Sequence, residues 1–405
     1  MLDGAQGEGV ALAMRIVLTA ARAVGATALR PITRAHVDGC LYHGRSSLDF
    51  VDRLRAGGAR VRVPTTLNVG LVDLLHPELN RGDEQTRMAA RALMEAYVEL
   101  GCEATFTCAP YQLPDRPALG EQIVWAESNA IVFANSVLGA RTNRYGDFID
   151  VCAAIVGRAP DAGLHRDEAR AARVVFDVTR LPKPVLRSEL LPALVGHVVG
   201  SRCGTAVPAI VGLPAGLGED ELKALGAAAA SSGSVALFHA VGLTPEAPTL
   251  EAALRGRQPE QTVVLAVADL EAARDELVRR GQGRLVAVSV GTPHASAREL
   301  RRLAQLLDGR PVADAVDAYV STNRAALAAC PDAVGRIRDS GVRVVVDTCT
   351  YLAPILRRRD GVVMTNSAKW AYYAPGNLGV DVAFGTLADC VESAVSGAVI
   401  CEPLT

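Results

Sequence analysis

The sequence predicts an α/β protein of several lobes, with mainly parallel sheets flanked by helices. Three observations predict it. Short β-rich runs alternate with helix-period segments along most of the 405 residues, and that alternation with short turns is the pattern of parallel sheets. Hydrophobic residues make up 50% of the chain, enough to fill a substantial core. The length exceeds what one small core organises, so two or three domains are expected.

The elements follow in chain order. The opening MLDGAQGEGVALAM carries an apolar stripe at helical spacing. Its glycines are not a nucleotide loop, because no strand precedes them. Residues 47–56 have helical periodicity. A strand is expected at 60–64 (RVRVP), followed by the polar turn PTTLN. A helix at 84–100 leads to a strand at 104–108 (ATFTC), closed by the rigid APY turn. Further strands are expected at 172–178, 205–212, 233–238, 261–267, 284–291, 317–322, 342–348 and 361–366, each rich in Val, Ala or Ile. Helices at 218–230, 270–280 and 296–307 separate them. Residues 1–180 form one lobe, 181–300 a plainer βαβ lobe, and 301–405 an α/β segment that completes the site.

Composition excludes several roles. Lys and Arg total 42 against 44 Asp and Glu, a net charge of −2. That balance argues against nucleic acid or an anionic membrane as partner. The N-terminus lacks the basic region of a signal peptide, and no apolar run is long enough to span a membrane, so a cytoplasmic chain is expected. The nine cysteines are then not disulfides, and no CxxC pair suggests a zinc ribbon. Cys102, Cys152, Cys203 and Cys330 read as small buried hydrophobes. Most of the seven histidines read as structural, including His36 and His43 beside VDGCLYHG.

In parallel sheets, ligands bind beyond the carboxyl ends of strands. Four polar turns occupy such ends: PTTLN, TCAPY, DTCTY and TNSAKW. Cys108 and Cys349 each follow a threonine and precede a tyrosine by a few residues, and thiolates there suit metal or iron–sulfur ligation. The bland reading is a small Thr-Cys pair filling a strand end. A cluster with one open iron needs a third thiolate. Cys390, at the start of a helical segment, is the candidate, with Cys40 and Cys401 as rivals. The segment 127–147 is dense in amides and hydroxyls. Ser128, Asn129, Asn135, Ser136, Thr142 and Asn143 are candidates to line a small-acid site, with Arg141 gripping a carboxylate in a two-oxygen fork. Ordinary helix capping is the alternative. Thr65, Thr66 and Asn68 offer hydroxyls and an amide, or only a turn. Ser367 and Lys369 stand at a helix start, as catalytic groups or as a solvated face.

Together these stretches resemble the large subunit, or catalytic large domain, of the aconitase X family. The resemblance covers nearly the whole chain and rests on VPTTLNVG, TCAPYQ, GEQIVWAESNAIVFANSVLGARTNR, VVVDTC and NSAKWAYYAPG among others. It implies an aconitase-like body that removes water from a small hydroxy acid, cis-3-hydroxy-L-proline foremost and mevalonate 5-phosphate second. It implies an iron–sulfur cluster, 2Fe-2S or 4Fe-4S, on Cys108, Cys349 and Cys390. It also implies a small swivelling-domain partner subunit that supplies a serine-type group, because the family pairs this unit with such a domain and the sequence given stops at CEPLT, and it implies a short leader before MLDG. A non-catalytic regulatory or scaffold subunit is the alternative of another class.

Overall fold

A computed structural model describes residues 1–278 and 283–404. Its strands fall into three groups along the chain. The first holds β1 (Leu29–Pro31), β2 (Ala35–Val37), β3 (Thr65–Leu67), β4 (Val124–Trp125) and β5 (Arg158–Pro160). Here β3, β2 and β4 form a parallel sheet in that order, with Ala35 opposite both Thr65 and Val124. β1 and β5 pair as a separate antiparallel ribbon. The second group is β6 (Val174–Asp177), β7 (Pro208–Val211), β8 (His239–Ala240) and β9 (Gln261–Val264), a parallel sheet ordered β8-β7-β6-β9. The third is β10 (Leu285–Ala295), β11 (Asp317–Thr322), β12 (Arg343–Val345), β13 (Val362–Thr365) and β14 (Asp381–Phe384), parallel throughout and ordered β12-β11-β10-β13-β14.

The fold is α/β with mainly parallel sheets flanked by helices. Sheet membership divides the chain earlier than the boundaries expected at 180 and 300. β6 belongs to the second sheet and β10 to the third. A boundary drawn from loss of polar turns lags behind one drawn from hydrogen bonding, because a strand joins its sheet before its turn appears.

Helices form where periodicity and caps agree. In Ala297–Leu307 the buried Leu300, Leu303, Ala304 and Leu307 share one face. Ser296 caps that helix by accepting from the Glu299 N–H, and Glu299 returns the bond to the Ser296 N–H. Glu84–Glu99 starts on Asp83, which accepts from the Thr86 N–H. The helix expected at 270–280 is Val267–Leu277; positions 279 and 280 lie outside the described residues. No described helix is long and apolar enough to cross a membrane.

Four expected strands differ, each for a local reason. At 60–64 the ladder begins only at Thr65. Pro64 has no N–H to give, and its carbonyl accepts from Ala35 at the start of the ladder. Residues 104–108 run beside β3 without joining it. The Leu67 N–H donates to the Thr105 hydroxyl rather than to a backbone carbonyl (2.9 Å), and Phe106 turns the chain with φ 38°. No strand forms at 233–238, where the Phe238 N–H donates to the Ser136 hydroxyl, and the ladder begins only at β8, His239–Ala240. β12 stops at Val345, since the Val346 N–H donates to the Asp73 carboxylate (2.9 Å) and Asp347 adopts φ 60°.

Those last contacts join the first and third groups. The Gly70 N–H donates to the Asp347 carbonyl (2.8 Å). The Asp347 carboxylate, fully buried, takes a two-pronged bond from Arg324 (2.8 and 2.7 Å). Gly70 is itself packed against the helix Glu84–Glu99, where a Cβ would lie 2.3 Å from the Met94 sulfur. Residues 68–74 and 346–349 are thereby locked against each other.

Candidate active site

A pocket of about 400 Å³ opens where the carboxyl edges of the first and third sheets meet. Every strand of a parallel sheet presents its carboxyl end on one edge, so turns distant in sequence collect there. Asp38 follows β2, Asn68 follows β3, Glu127 and Ser128 follow β4, and Cys108 ends the stretch beside β3. From the third sheet come Cys349, beyond β12, and Lys369, on the helix Ala368–Leu378 after β13.

The thiols of Cys108 and Cys349 and a ring nitrogen of His294 all lie within 4.8 Å of one another. The His294 N–H donates to the Cys108 sulfur (3.3 Å). Burial opposes ionisation of Cys108. The hydrogen bond from Cys349, the Lys369 ammonium and the His294 N–H overcome that and hold its thiol below the usual range. Cys349, which donates that bond and is equally buried, is pushed well above it. This pair fits an iron–sulfur cluster, whose usual protein ligands are thiolates. His294 itself is neutral, with burial drawing its imidazole down to about 4.

Opposite the thiols, Lys369 forms a buried ion pair with Glu127. Burial works against the ammonium, but the Glu127 carboxylate holds Lys369 well above its ordinary value. Asn68 donates from its amide to the Asp38 carboxylate. Burial, with nearby Asp147, raises the Asp38 carboxyl to about 7. Behind it, Asp150 accepts from the Asp38 N–H (2.8 Å) and is raised by burial to about 8. Arg144, an exposed residue, also lines the pocket.

Of the residues singled out by sequence, Asn68, Ser128, Cys108, Cys349 and Lys369 line this pocket. The remainder lie elsewhere. Thr65 donates to the Val63 carbonyl, and Thr66 bonds to the His36 ring (2.8 Å). Asn129 sits behind the pocket wall, accepting from the Tyr111 hydroxyl (2.5 Å) and donating to the Cys108 carbonyl (2.9 Å). Asn135 donates to the carbonyls of Thr142 and Ala236 and accepts from Arg170. Ser136 accepts from Phe238, Thr142 from the Trp125 N–H, and Asn143 from the Leu164 N–H. Arg141 turns away to Asp167 (2.5 Å). This amide-rich array stitches one segment to its neighbours, and its groups are spent on backbone and side-chain partners within the scaffold. Ser367 caps its helix by accepting from the Trp370 N–H (3.0 Å).

The structure does not bring Cys390 to the thiol pair. It is fully buried on the inner face of the helix Leu387–Ser396, in an apolar core with Leu300 and Met364. Helical spacing with Leu387, Val391 and Ala394 assigns it to that packed face. Cys40 donates to the Asn68 carbonyl (2.9 Å), and Cys401 is exposed at the chain end. The four cysteines read as core residues, Cys102, Cys152, Cys203 and Cys330, are buried.

Asp38, Glu127, Arg144 and His294 were not singled out. Asp38 and Glu127 stand at carboxyl ends of strands, and a stricter use of that rule finds them. Arg144 lies three residues beyond Arg141, and only the chain path decides between them. His294 carries no local signal.

Comparison with known proteins agrees with this geometry. Models of the aconitase X first, second and third domains match residues 1–168, 172–275 and 285–396. The chain is 45% identical over 402 residues to a Pseudomonas aeruginosa protein named cis-3-hydroxy-L-proline dehydratase, covering 98% of this chain and 69% of that protein. A Hypocrea jecorina protein of the same name is 41% identical, covering 98% of this chain and 67% of its own length. The phosphomevalonate dehydratase large subunit of Methanosarcina mazei is 34% identical, with 98% of this chain and 96% of that protein covered. The crystal structure of Thermococcus kodakaraensis aconitase X in its holo-form superposes with a TM-score of 0.86 at 32% identity, covering 97% of each chain. On these matches and this pocket, the chain belongs to the aconitase X family of hydro-lyases.

Proposed function

We propose that the protein dehydrates cis-3-hydroxy-L-proline in this pocket, with an iron–sulfur cluster held by Cys108, Cys349 and, in place of the third thiolate, the His294 ring, and with Asp38 as base. The observation that carries the reading is the convergence of two thiols, a buried Lys369–Glu127 pair and a raised carboxyl on one pocket. When bound, an iron with an open coordination position supplies a Lewis acid for the departing hydroxyl.

The chain's own groups account for the remaining work. The Asp38 carboxylate removes the proton α to the substrate carboxylate, and the carbon–oxygen bond breaks. The departing hydroxide takes a proton from solvent and leaves as water, Asp38 releases its own proton to solvent, and the product is a pyrroline-2-carboxylate. A carboxyl at about 7 is matched to proton transfer near neutrality. Arg144 at the exposed side holds the substrate carboxylate and stabilises the negative charge that develops on it, while Lys369 is held by Glu127 in the pocket wall. Asn68 orients Asp38 through its amide, and Ser128 presents a hydroxyl to the substrate.

Two observations favour the proline substrate. Relatives named for it are 45% and 41% identical, against 34% for the Methanosarcina large subunit. Of the pocket's cations, Lys369 is neutralised by Glu127, which leaves Arg144 for one anionic group rather than a carboxylate and a phosphate. A small swivelling-domain subunit completes the enzyme in this reading, by analogy with relatives named as large subunits. The test is anaerobic reconstitution with iron, sulfide and that partner. Water loss from cis-3-hydroxy-L-proline and not from mevalonate 5-phosphate is expected. Turnover of the phosphorylated acid alone reverses the substrate assignment, and turnover of neither with a loaded cluster defeats the reading.

A further inference from the structure

We infer that Tyr351 is a further catalytic residue, whose hydroxyl donates a hydrogen bond to the oxygen that leaves the substrate. The inference deepens the reading above and rests on its placing of the departing hydroxyl beside the thiols.

Tyr351 shares a turn with one of those thiols. The N–H groups of Leu352 and Ala353 both donate to the Cys349 carbonyl (3.1 and 3.0 Å), so the tyrosine is carried with the cysteine. The Asn377 amide donates to the Tyr351 carbonyl (3.3 Å). The Tyr351 ring stacks on Tyr373, with centroids 5.9 Å apart and planes at 12°. Tyr373 and Asn377 stand four and eight residues beyond Lys369 on the helix Ala368–Leu378, and all three line the pocket. Backbone and ring are both held, which fixes where the phenol oxygen sits.

That oxygen is uncommitted. Tyr351 lines the pocket and is only 7% exposed. Its hydroxyl makes no hydrogen bond among the described residues and is not sealed off from the cavity. Polar groups around it are already engaged: Asn68 with Asp38, Lys369 with Glu127, and Tyr145 with His165. A hydroxyl taken out of water without a partner costs free energy, and a partner carried in by the ligand removes that cost. The Tyr351 oxygen lies within electrostatic reach of the Lys369 ammonium, the Glu127 carboxylate and the sulfurs of Cys349 and Cys108. It therefore stands at the reacting end of the pocket. As the carbon–oxygen bond breaks, the departing oxygen gains negative charge. A donor already in place binds it more strongly than it binds the neutral hydroxyl. Tyr351 keeps its own proton in this step.

The test uses Tyr351→Phe, which keeps the stack on Tyr373. Binding of cis-3-hydroxy-L-proline and of L-proline, which lacks the leaving oxygen, is measured on the metal-free full-length chain, where nothing turns over. Wild type is expected to favour the hydroxylated ligand about five- to tenfold, as one hydrogen bond predicts, and Tyr351→Phe to bind both alike. In the enzyme reconstituted with its partner, the variant is expected to lose about 10²-fold in kcat, with KM raised by less than about tenfold. A wild type without the preference, or a preference that survives in Tyr351→Phe, overturns the contact. A variant that changes KM and leaves kcat alone overturns the catalytic role. Wild type that binds neither these ligands nor mevalonate 5-phosphate overturns the contact together with the pocket assignment. If mevalonate 5-phosphate alone binds, the substrate assignment falls. The same comparison, made with its analogue lacking the tertiary hydroxyl, then upholds or overturns the contact. A preference that Tyr351→Phe abolishes, in a protein that turns over neither acid once loaded, defeats the dehydratase reading and leaves the contact standing.

Discussion

Lys369 and Glu127 show what single residues contribute here. Their side chains are only 4% and 7% exposed, so each depends on the other for compensation of its buried charge. Lys369→Met should cost about 3–5 kcal/mol in urea unfolding, because Glu127 is left buried and unpaired. The double change Lys369→Met with Glu127→Leu should recover most of that loss; failure to recover would show that the pair is not the source of the cost. Asp38 works in the opposite sense. Its folded-state value of about 7 exceeds the ordinary 3.8. Below pH ~4 both states hold the proton and nothing is lost. Between ~4 and ~7 the unfolded chain releases a proton that the folded chain keeps, so stability falls as pH rises. Asp38→Asn should therefore match wild type near pH 4 and be more stable by about 1–3 kcal/mol at pH 8. The same variant should lose about 10²- to 10⁴-fold in kcat, and the wild-type rate should climb through pH ~7 as the base ionises. Equal stability at pH 8 would remove the buried-carboxylate argument.

At the scale of elements, the segment 127–143 shows how polar density misleads. So many amides before an arginine suggest a ligand cradle, yet Asn135, Ser136, Thr142 and Asn143 bond to backbone groups of neighbouring segments. A chain that turns through a π-type helix end leaves main-chain groups without ladder partners, and side-chain amides replace them. Arg170, fully buried on Asn135 and Glu246, belongs to the same scaffold. Asn135→Ala should lower stability by about 2–4 kcal/mol, since several buried partners are stranded at once. KM measured on the folded fraction should stay at the wild-type value. A large rise in KM with unchanged stability would restore the segment to the substrate site.

For the whole molecule, the site exists only because two sheets from opposite ends of the chain meet edge to edge. Cys108 comes with the first and Cys349 with the third. A group bound to both bridges the two and adds its binding free energy to folding. On the iron–sulfur reading proposed above, removing the cluster from reconstituted protein with a chelator under argon should lower Tm by several degrees. The same treatment of Cys349→Ala should leave Tm unchanged. The clasp around Asp347 carries the same junction. Arg324→Met strands a fully buried carboxylate and should both destabilise the chain and loosen iron retention, read by iron content after gel filtration.

Local sequence pattern sets the α/β class, the parallel sheets, most helices and the four turns from which Asn68, Cys108, Cys349 and Lys369 reach one pocket. These follow from local periodicity and from the rule that strand ends carry chemistry, and both are written in nearest neighbours. The tertiary structure alone decided which polar groups were left over after the backbone had been satisfied. It turned Arg141 outward and Arg144 to the pocket, buried Cys390 in an apolar core, and brought His294 between two threonines from remote turns. The physical reason is that hydrogen-bond demand and burial depend on partners far along the chain, and no window of sequence contains them.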